Sequence, residues 1–275
     1  MIKQNLHTHT RFCDGKDTPE EMLQTAIEKG FTTLGFSSHA YTPVDPVSSM
    51  SRERTKDYIQ AIQALKASAP DSIQIYLGTE EDSTCPVNPD DYDYVIGSVH
   101  MVEKDGKYYS IDYSKEVFEE SIRDGWNGDV QAYAKDYYEQ LSRQAENDRA
   151  EIIGHIDLIA KYNEDEKYFR FDDPEILEAS QKAVEILAKA GKIFEMNTGA
   201  IARGYRKTPY PSPQILDQIK KADGKLMINT DCHNREFLDL GMKQCLDLAK
   251  KAGFTQLYTF DGENFVPRPI EEFIG

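Results

Sequence analysis

Nine side chains able to ligate metal ions sit where apolar runs of this chain end: His7, His9, Asp14, His39, Glu80, His100, His155, Asp231 and His233. They include all six histidines of the sequence. A histidine-rich set with a few carboxylates is donor chemistry for Zn, Fe or Mn, whereas Mg and Ca favour all-oxygen shells. Nine N and O donors exceed the roughly four that one zinc takes, so two or three ions are implied. Grouped divalent ions activate water and neutralise charge on an ester, so the set reads as a multi-metal hydrolase.

The spacing supports one shared site. His7-Thr8-His9 closes an apolar stretch, and the period of two in a strand puts both imidazoles on one face. Asp231-Cys232-His233 repeats that arrangement after Leu226-Met227-Ile228-Asn229-Thr230. His39 ends Leu34-Gly35-Phe36-Ser37-Ser38, and Glu80 ends Ile73-Gln74-Ile75-Tyr76-Leu77-Gly78-Thr79. His100 follows Tyr94-Val95-Ile96-Gly97-Ser98-Val99, and His155 follows Ile152-Ile153-Gly154. A polar group closing a buried strand is costly unless it is paired or metal-bound. Taken singly, Asp14 in Cys13-Asp14-Gly15 reads as an Asx turn, Glu80 as a surface carboxylate beside Glu81 and Asp82, and each histidine as a satisfied core residue. Their recurrence at strand ends, with no histidine elsewhere, is what points to a common centre. Cys13 and Cys232 neighbour these positions but alternate to the other face, a packing role; Cys85 and Cys245 complete a set with neither zinc-knuckle spacing nor disulfide density.

Strand ends from so many parts of one chain meet at the C-terminal mouth of an α/β barrel. Seven strands are expected near residues 3–9, 32–38, 73–79, 93–99, 151–155, 192–197 and 225–230. Thr18 with Glu21 forms a capping box, Pro19 takes the first helical position and Gly30 follows the helix. Asp173-Pro174 opens a helix ending at Gly191, Ser212-Pro213 opens one ending before Gly224, and a further helix is expected from Asn234 to Gly253. Residues 103–150 interrupt the rhythm, with a helical pattern at Tyr133, Tyr137 and Leu141, and read as an insertion over the mouth or a peripheral elaboration. With no repeat or linker, residues 1–275 read as a single domain.

Composition sets outer limits. A formal charge of -16 disfavours nucleic acid and anionic membranes as partners, although bound cations can reverse the field locally. No apolar run approaches the roughly 18 residues of a membrane span. The N-terminus enters a strand-like segment without a basic and then apolar leader, as expected of a cytoplasmic protein.

Over nearly the whole chain the motifs resemble the polymerase and histidinol phosphatase (PHP) superfamily. His7-Thr8-His9 with Cys13-Asp14-Gly15 is similar to its first motif and Ser38-His39 to its second. Gly97-Ser98-Val99-His100 and Gly154-His155-Ile156-Asp157 resemble the middle motifs, and Asp231-Cys232-His233 the last. The resemblance implies a distorted TIM-like barrel of seven βα units. It implies three divalent ions, Zn, Mn or Fe: one on His7, His9, Glu80 and Asp231, a second sharing Glu80 with His100 and His155, and a third on Asp14, His39 and His233. Within the superfamily, the chain length and the Gly-Ser-Val-His and Gly-His-Ile-Asp forms are most similar to stand-alone histidinol-phosphate phosphatases. The expected activity is therefore hydrolysis of L-histidinol phosphate, a small phosphate monoester of histidine biosynthesis. Asp231 or His233 would pass a proton to the leaving alcohol or serve purely as a ligand, and Arg203 and Lys161 are candidates to hold the phosphate. Two other readings stay open: a related phosphoesterase acting on a nucleotide or phosphotyrosine, and a non-catalytic metal-binding regulatory module.

Overall fold

The computed structural model describes residues 1–275. In chain order the elements are β1 (Gln4–Asn5), α1 (Pro19–Glu28), β2 (Thr33–Phe36), α2 (Arg52–Ser68), β3 (Gln74–Asp82), β4 (Tyr94–Ser98), β5 (Met101–Lys104), β6 (Lys107–Ser110), α3 (Lys115–Trp126), α4 (Val130–Ser142) and β7 (Ile152–Ile153). There follow α5 (Pro174–Lys189), β8 (Ile193–Asn197), α6 (Gly199–Ala202), α7 (Pro213–Lys221), β9 (Lys225–Asn229), α8 (Met242–Lys251), β10 (Gln256–Phe260) and β11 (Phe265–Pro269). Seven strands form one parallel sheet in the order β1-β2-β3-β4-β7-β8-β9. The sheet curls into a barrel flanked by helices, as the strand count and the resemblance imply. Its distortion begins between β3 and β4, where the crossover carries a short 3₁₀ turn, Pro89–Asp91, instead of an α-helix.

Side chains decide how the barrel closes. β1 is far shorter than the run expected over residues 3–9, because asparagines take over from the ladder at the β9 to β1 seam. Leu6 N donates to Asn229 Oδ1 at 2.8 Å, and Thr230 N donates to Asn5 Oδ1 at 2.9 Å. Backbone pairing resumes just beyond, where His9 N donates to Cys232 O at 2.8 Å and Cys232 N to His7 O at 3.0 Å. Both strands of this seam therefore carry candidate metal donors just beyond the asparagines, His7 and His9 on one and Asp231 and His233 on the other.

The barrel interior changes character along its axis. Leu6, Tyr76, Tyr94, Ile96, Ile152, Ile193 and Met227 form an apolar lower layer, joined by Phe260 of the C-terminal hairpin β10–β11. Tyr94 needs room for its ring there: a Cβ on Gly35 or Gly78 would overlap it. Two residues further along the same strands, the inward positions become Gly78, Ser98, Glu195 and Asn229, and two further again Glu80, His100, Asn197 and Asp231. A larger core of 54 buried residues fills the layer between strands and helices.

Three of the four expected helices begin where their caps place them, and the Thr18–Glu21 capping box forms in both directions. The fourth is delayed. After Asn234 a single 3₁₀ turn, Arg235–Phe237, precedes Gly241 at φ 80°, and α8 starts only at Met242. Residues 103–150 divide into two parts: the β5–β6 hairpin and the turn after it reach the mouth, whereas α4 packs against α5 with Tyr133, Tyr137 and Leu141 in the core. Most of that segment is thus barrel wall. No helix is long and apolar enough to cross a membrane.

Candidate metal centre

All nine sequence-selected donors converge at the C-terminal mouth. Glu80, 1% exposed, is the hub. Its Oε2 lies 3.2 Å from His7 Nε2, 3.4 Å from His9 Nε2 and 3.0 Å from His39 Nδ1. Its Oε1 lies 3.0 Å from His155 Nε2 and 3.4 Å from His100 Nε2, and accepts Ser98 Oγ at 2.6 Å. Asp231 Oδ1 is 3.2 Å from His9 Nε2, 3.6 Å from His7 Nε2 and 3.3 Å from His233 Nδ1. Asp14 Oδ1 faces His233 Nε2 at 3.3 Å and both His9 Nδ1 and His39 Nε2 at 3.8 Å.

These residues fit divalent ions on physical grounds. His7 Nε2, His9 Nε2 and Glu80 Oε2 are buried, point at one another and have no hydrogen-bond partner. A buried polar atom left unpaired costs on the order of 1–3 kcal/mol, so three at one point call for a common partner. Donor atoms within 4.8 Å of one another form three groups: His9, Asp14, His39 and His233; His7, His9 and Glu80; and His39, Glu80 and His100. His39 thus stands between Glu80 and Asp14 instead of beside Asp14 alone.

A second layer orients the imidazoles, and the sequence reading did not pick it out. Glu195, fully buried in β8, accepts His7 Nδ1 at 2.7 Å, leaving Nε2 to face the cluster. The same carboxylate accepts His155 N at 3.0 Å, Asn197 Nδ2 at 2.8 Å and Asn229 Nδ2 at 2.9 Å. Asp82 accepts both the backbone N of His100, at 2.9 Å, and its Nδ1, at 3.2 Å. Signals for both were present: Glu195 interrupts the apolar Ile193-Phe194-Met196 run, and Asp82 shares a face with Glu80 at period two. Cys13 Sγ lies 3.4 Å from His9 Nδ1, and burial pushes its thiol up to about 12, so it packs against His9 as a neutral group.

The backbone is fitted to this crowding. Asp231 adopts φ 48°, a left-handed conformation that Asp tolerates, and His155 has φ 20°. A Cβ on Gly154 would run into Ser98 Oγ, and one on Gly199 into Asp231 Oδ2, so glycine at each keeps a carboxylate in place. Burial pushes the Glu80 carboxyl up, but His7, His39 and His100 outweigh it and hold the group well below the usual range. Burial acts likewise on Asp231, where Arg203, His7 and His233 prevail and keep it ionised.

The cluster opens into a cavity of about 250 Å³. Arg203 and Lys161 both line it. Arg203 Nη2 donates to Asp231 Oδ2 at 2.9 Å, and Lys161 Nζ donates to Asp112 O at 2.7 Å and Asp112 Oδ2 at 3.1 Å.

The PHP domain model matches residues 5–199. A Schizosaccharomyces pombe protein named "Probable histidinol-phosphatase" is 27% identical, over 91% of this chain and 87% of its own. The Bacillus subtilis histidinol-phosphatase is 26% identical, over 85% of this chain and 94% of its own. The crystal structure of histidinol phosphate phosphatase from Lactococcus lactis, complexed with Zn, L-histidinol and phosphate, superposes with a TM-score of 0.72 at 24% identity, covering 96% of this chain and 98% of that one. The last likeness concerns the fold.

Proposed function

Since the chain belongs to the PHP domain family, we propose that it is a divalent-metal-dependent phosphomonoesterase that hydrolyses L-histidinol phosphate to L-histidinol and phosphate in histidine biosynthesis. The observation that carries the reaction class is the meeting of nine donors around the buried Glu80 carboxylate at the floor of a small-molecule cavity. Support for the substrate comes from relatives that share nearly their full length with this chain and are named for it.

In this reading His7, His9, Glu80 and Asp231 hold one ion, Glu80 is shared with a second on His100 and His155, and Asp14, His39 and His233 hold a third. Zinc, manganese and iron all suit that donor set. The ions would lower the pKa of a water and offset the charge of the ester dianion. Arg203, its guanidinium aligned by Asp231, grips the phosphate at the cavity wall, and Lys161 adds a second cation. Asp231 or His233, both beside Arg203 at the cavity wall, would pass a proton to the leaving alcohol. The setting is the cytoplasm, where a biosynthetic intermediate is made and consumed.

The test is phosphate release by metal-loaded protein from histidinol phosphate beside nucleotides, phosphotyrosine and sugar phosphates. A specificity constant highest for histidinol phosphate is expected. A higher value on another ester would retain the metal chemistry and discard the substrate.

A further inference from the structure

The cavity has two poles. One is the ligand cluster with Arg203; the other is walled by the loop after His39 and the turn after β6, with Asp45, Ser110, Asp112 and Tyr113. Most carboxylates around the cavity are committed: Asp14, Glu80 and Asp231 to the histidines, and Asp82 to His100. Asp45 spends one oxygen on Val47 N and Ser48 N within its own loop.

Asp112 is held from several sides. Its carbonyl accepts Lys161 Nζ at 2.7 Å and Tyr162 Oη at 2.8 Å, and its Oδ2 accepts Lys161 Nζ at 3.1 Å. Lys161 Nζ lies 5.1 Å from the Tyr205 ring centroid and 5.7 Å from that of Tyr162, which encloses the ion pair. Oδ1 of Asp112 is engaged in none of these bonds. Burial works against this carboxylate, but Lys161, His100 and Arg203 hold it at about 2, so it is an anion at neutral pH. Asp112, His100 and Arg203 line the same cavity, so one small molecule can meet all three.

The proposed substrate carries an ammonium group on the carbon next to the ester-bearing one, so its positive charge lies only a few bonds from phosphorus. Resting on the functional reading above, we propose that Asp112 is the acceptor for the substrate's ammonium group and selects amine-bearing phosphate monoesters. Lys161 and the ammonium then flank one carboxylate. The phosphate faces Arg203 and the metal ligands, and the two poles match a zwitterion end to end.

The experiment compares specificity constants of metal-loaded wild type and Asp112→Asn on L-histidinol phosphate and on imidazolylpropyl phosphate, the same ester without the amine. Wild type should prefer the amine-bearing ester. The variant should lose that preference by tenfold or more, because Asn keeps the shape and removes the charge. A preference unchanged in the variant, even with both constants reduced, would overturn the assignment and leave Asp112 as a positioning residue for Lys161. Equal constants on the two esters in wild type would overturn this inference alone, whereas turnover of neither ester would discard the substrate reading.

Discussion

The floor and the far rim of the cavity follow different rules. Most floor residues stand at strand ends, where the ladder and the period of two leave each side chain one direction, and several are braced by buried partners: His7 by Glu195, His100 by Asp82 and Glu80 by Ser98. Glu195, for example, accepts one donor from its own strand and three from other strand segments. Rim residues stand on the turn after a hairpin, a 3₁₀ turn and a loop, and Asp45, Asp112 and Tyr113 among them are at least partly open to water. The floor is suited to fixed chemistry, and the rim to selecting among esters.

The largest effect should come from the hub of the floor. Glu80→Gln removes charge from an atom pair facing five imidazoles, so turnover should fall by about a thousandfold or more, with metal content reduced by more than one ion per chain. Elemental analysis beside kcat checks this, and a fully metallated, active variant would refute the hub. Glu195→Gln should come next. It touches no substrate, but its amide would aim N–H groups at existing donors, and loss of such a partner costs about 10–100-fold in metal affinity or activity. Metal titration should show weaker binding; unchanged affinity would mean that the floor does not depend on its second layer.

A pair of glycines puts the contrast in stability terms. Alanine at Gly154 would press a methyl into Ser98 Oγ beneath Glu80, an overpacking worth about 1–3 kcal/mol. Alanine at Gly106, in the β5–β6 turn at φ 74°, meets open space and should cost only the left-handed backbone, about 1 kcal/mol. Denaturant midpoints should fall further for Gly154→Ala, and the reverse order would contradict a rigid floor.

The same difference decides what could be read from the sequence. The donors other than Asp14 were legible because apolar runs mark strands and they close them, whereas Asp14 in its turn was read from the company of the other motifs; the strand rule extends to Glu195 and Asp82, whose place on the inward face was readable but not singled out. The β9 to β1 seam was not legible, because Asn5 and Asn229 act through side-chain bonds that no period announces. Nor was the delay of α8: the 3₁₀ turn after Asn234 and the left-handed Gly241 depend on packing, with Thr230 Oγ1 donating to Leu238 O. In residues 103–150 the periodic tyrosines gave α4, but no pattern brings Asp112 to Lys161 across 49 positions.

The smallest expected effect concerns that rim pair and pH. Asp112 ionises at about 2 in the folded protein and near the ordinary Asp value of about 4 when unfolded. A carboxyl with a depressed folded value contributes stability above its unfolded value and loses it as pH falls through the folded one. The gap in unfolding free energy between wild type and Asp112→Asn should therefore be flat from neutral pH to about 4 and close between about 4 and 2. Its size should not exceed about 2 kcal/mol, since less than two units separate the folded and unfolded values and partial exposure screens the pair. A gap that instead widens as pH falls through about 6 would tie Asp112 to histidine protonation on the floor, and rim and floor would then be one coupled unit.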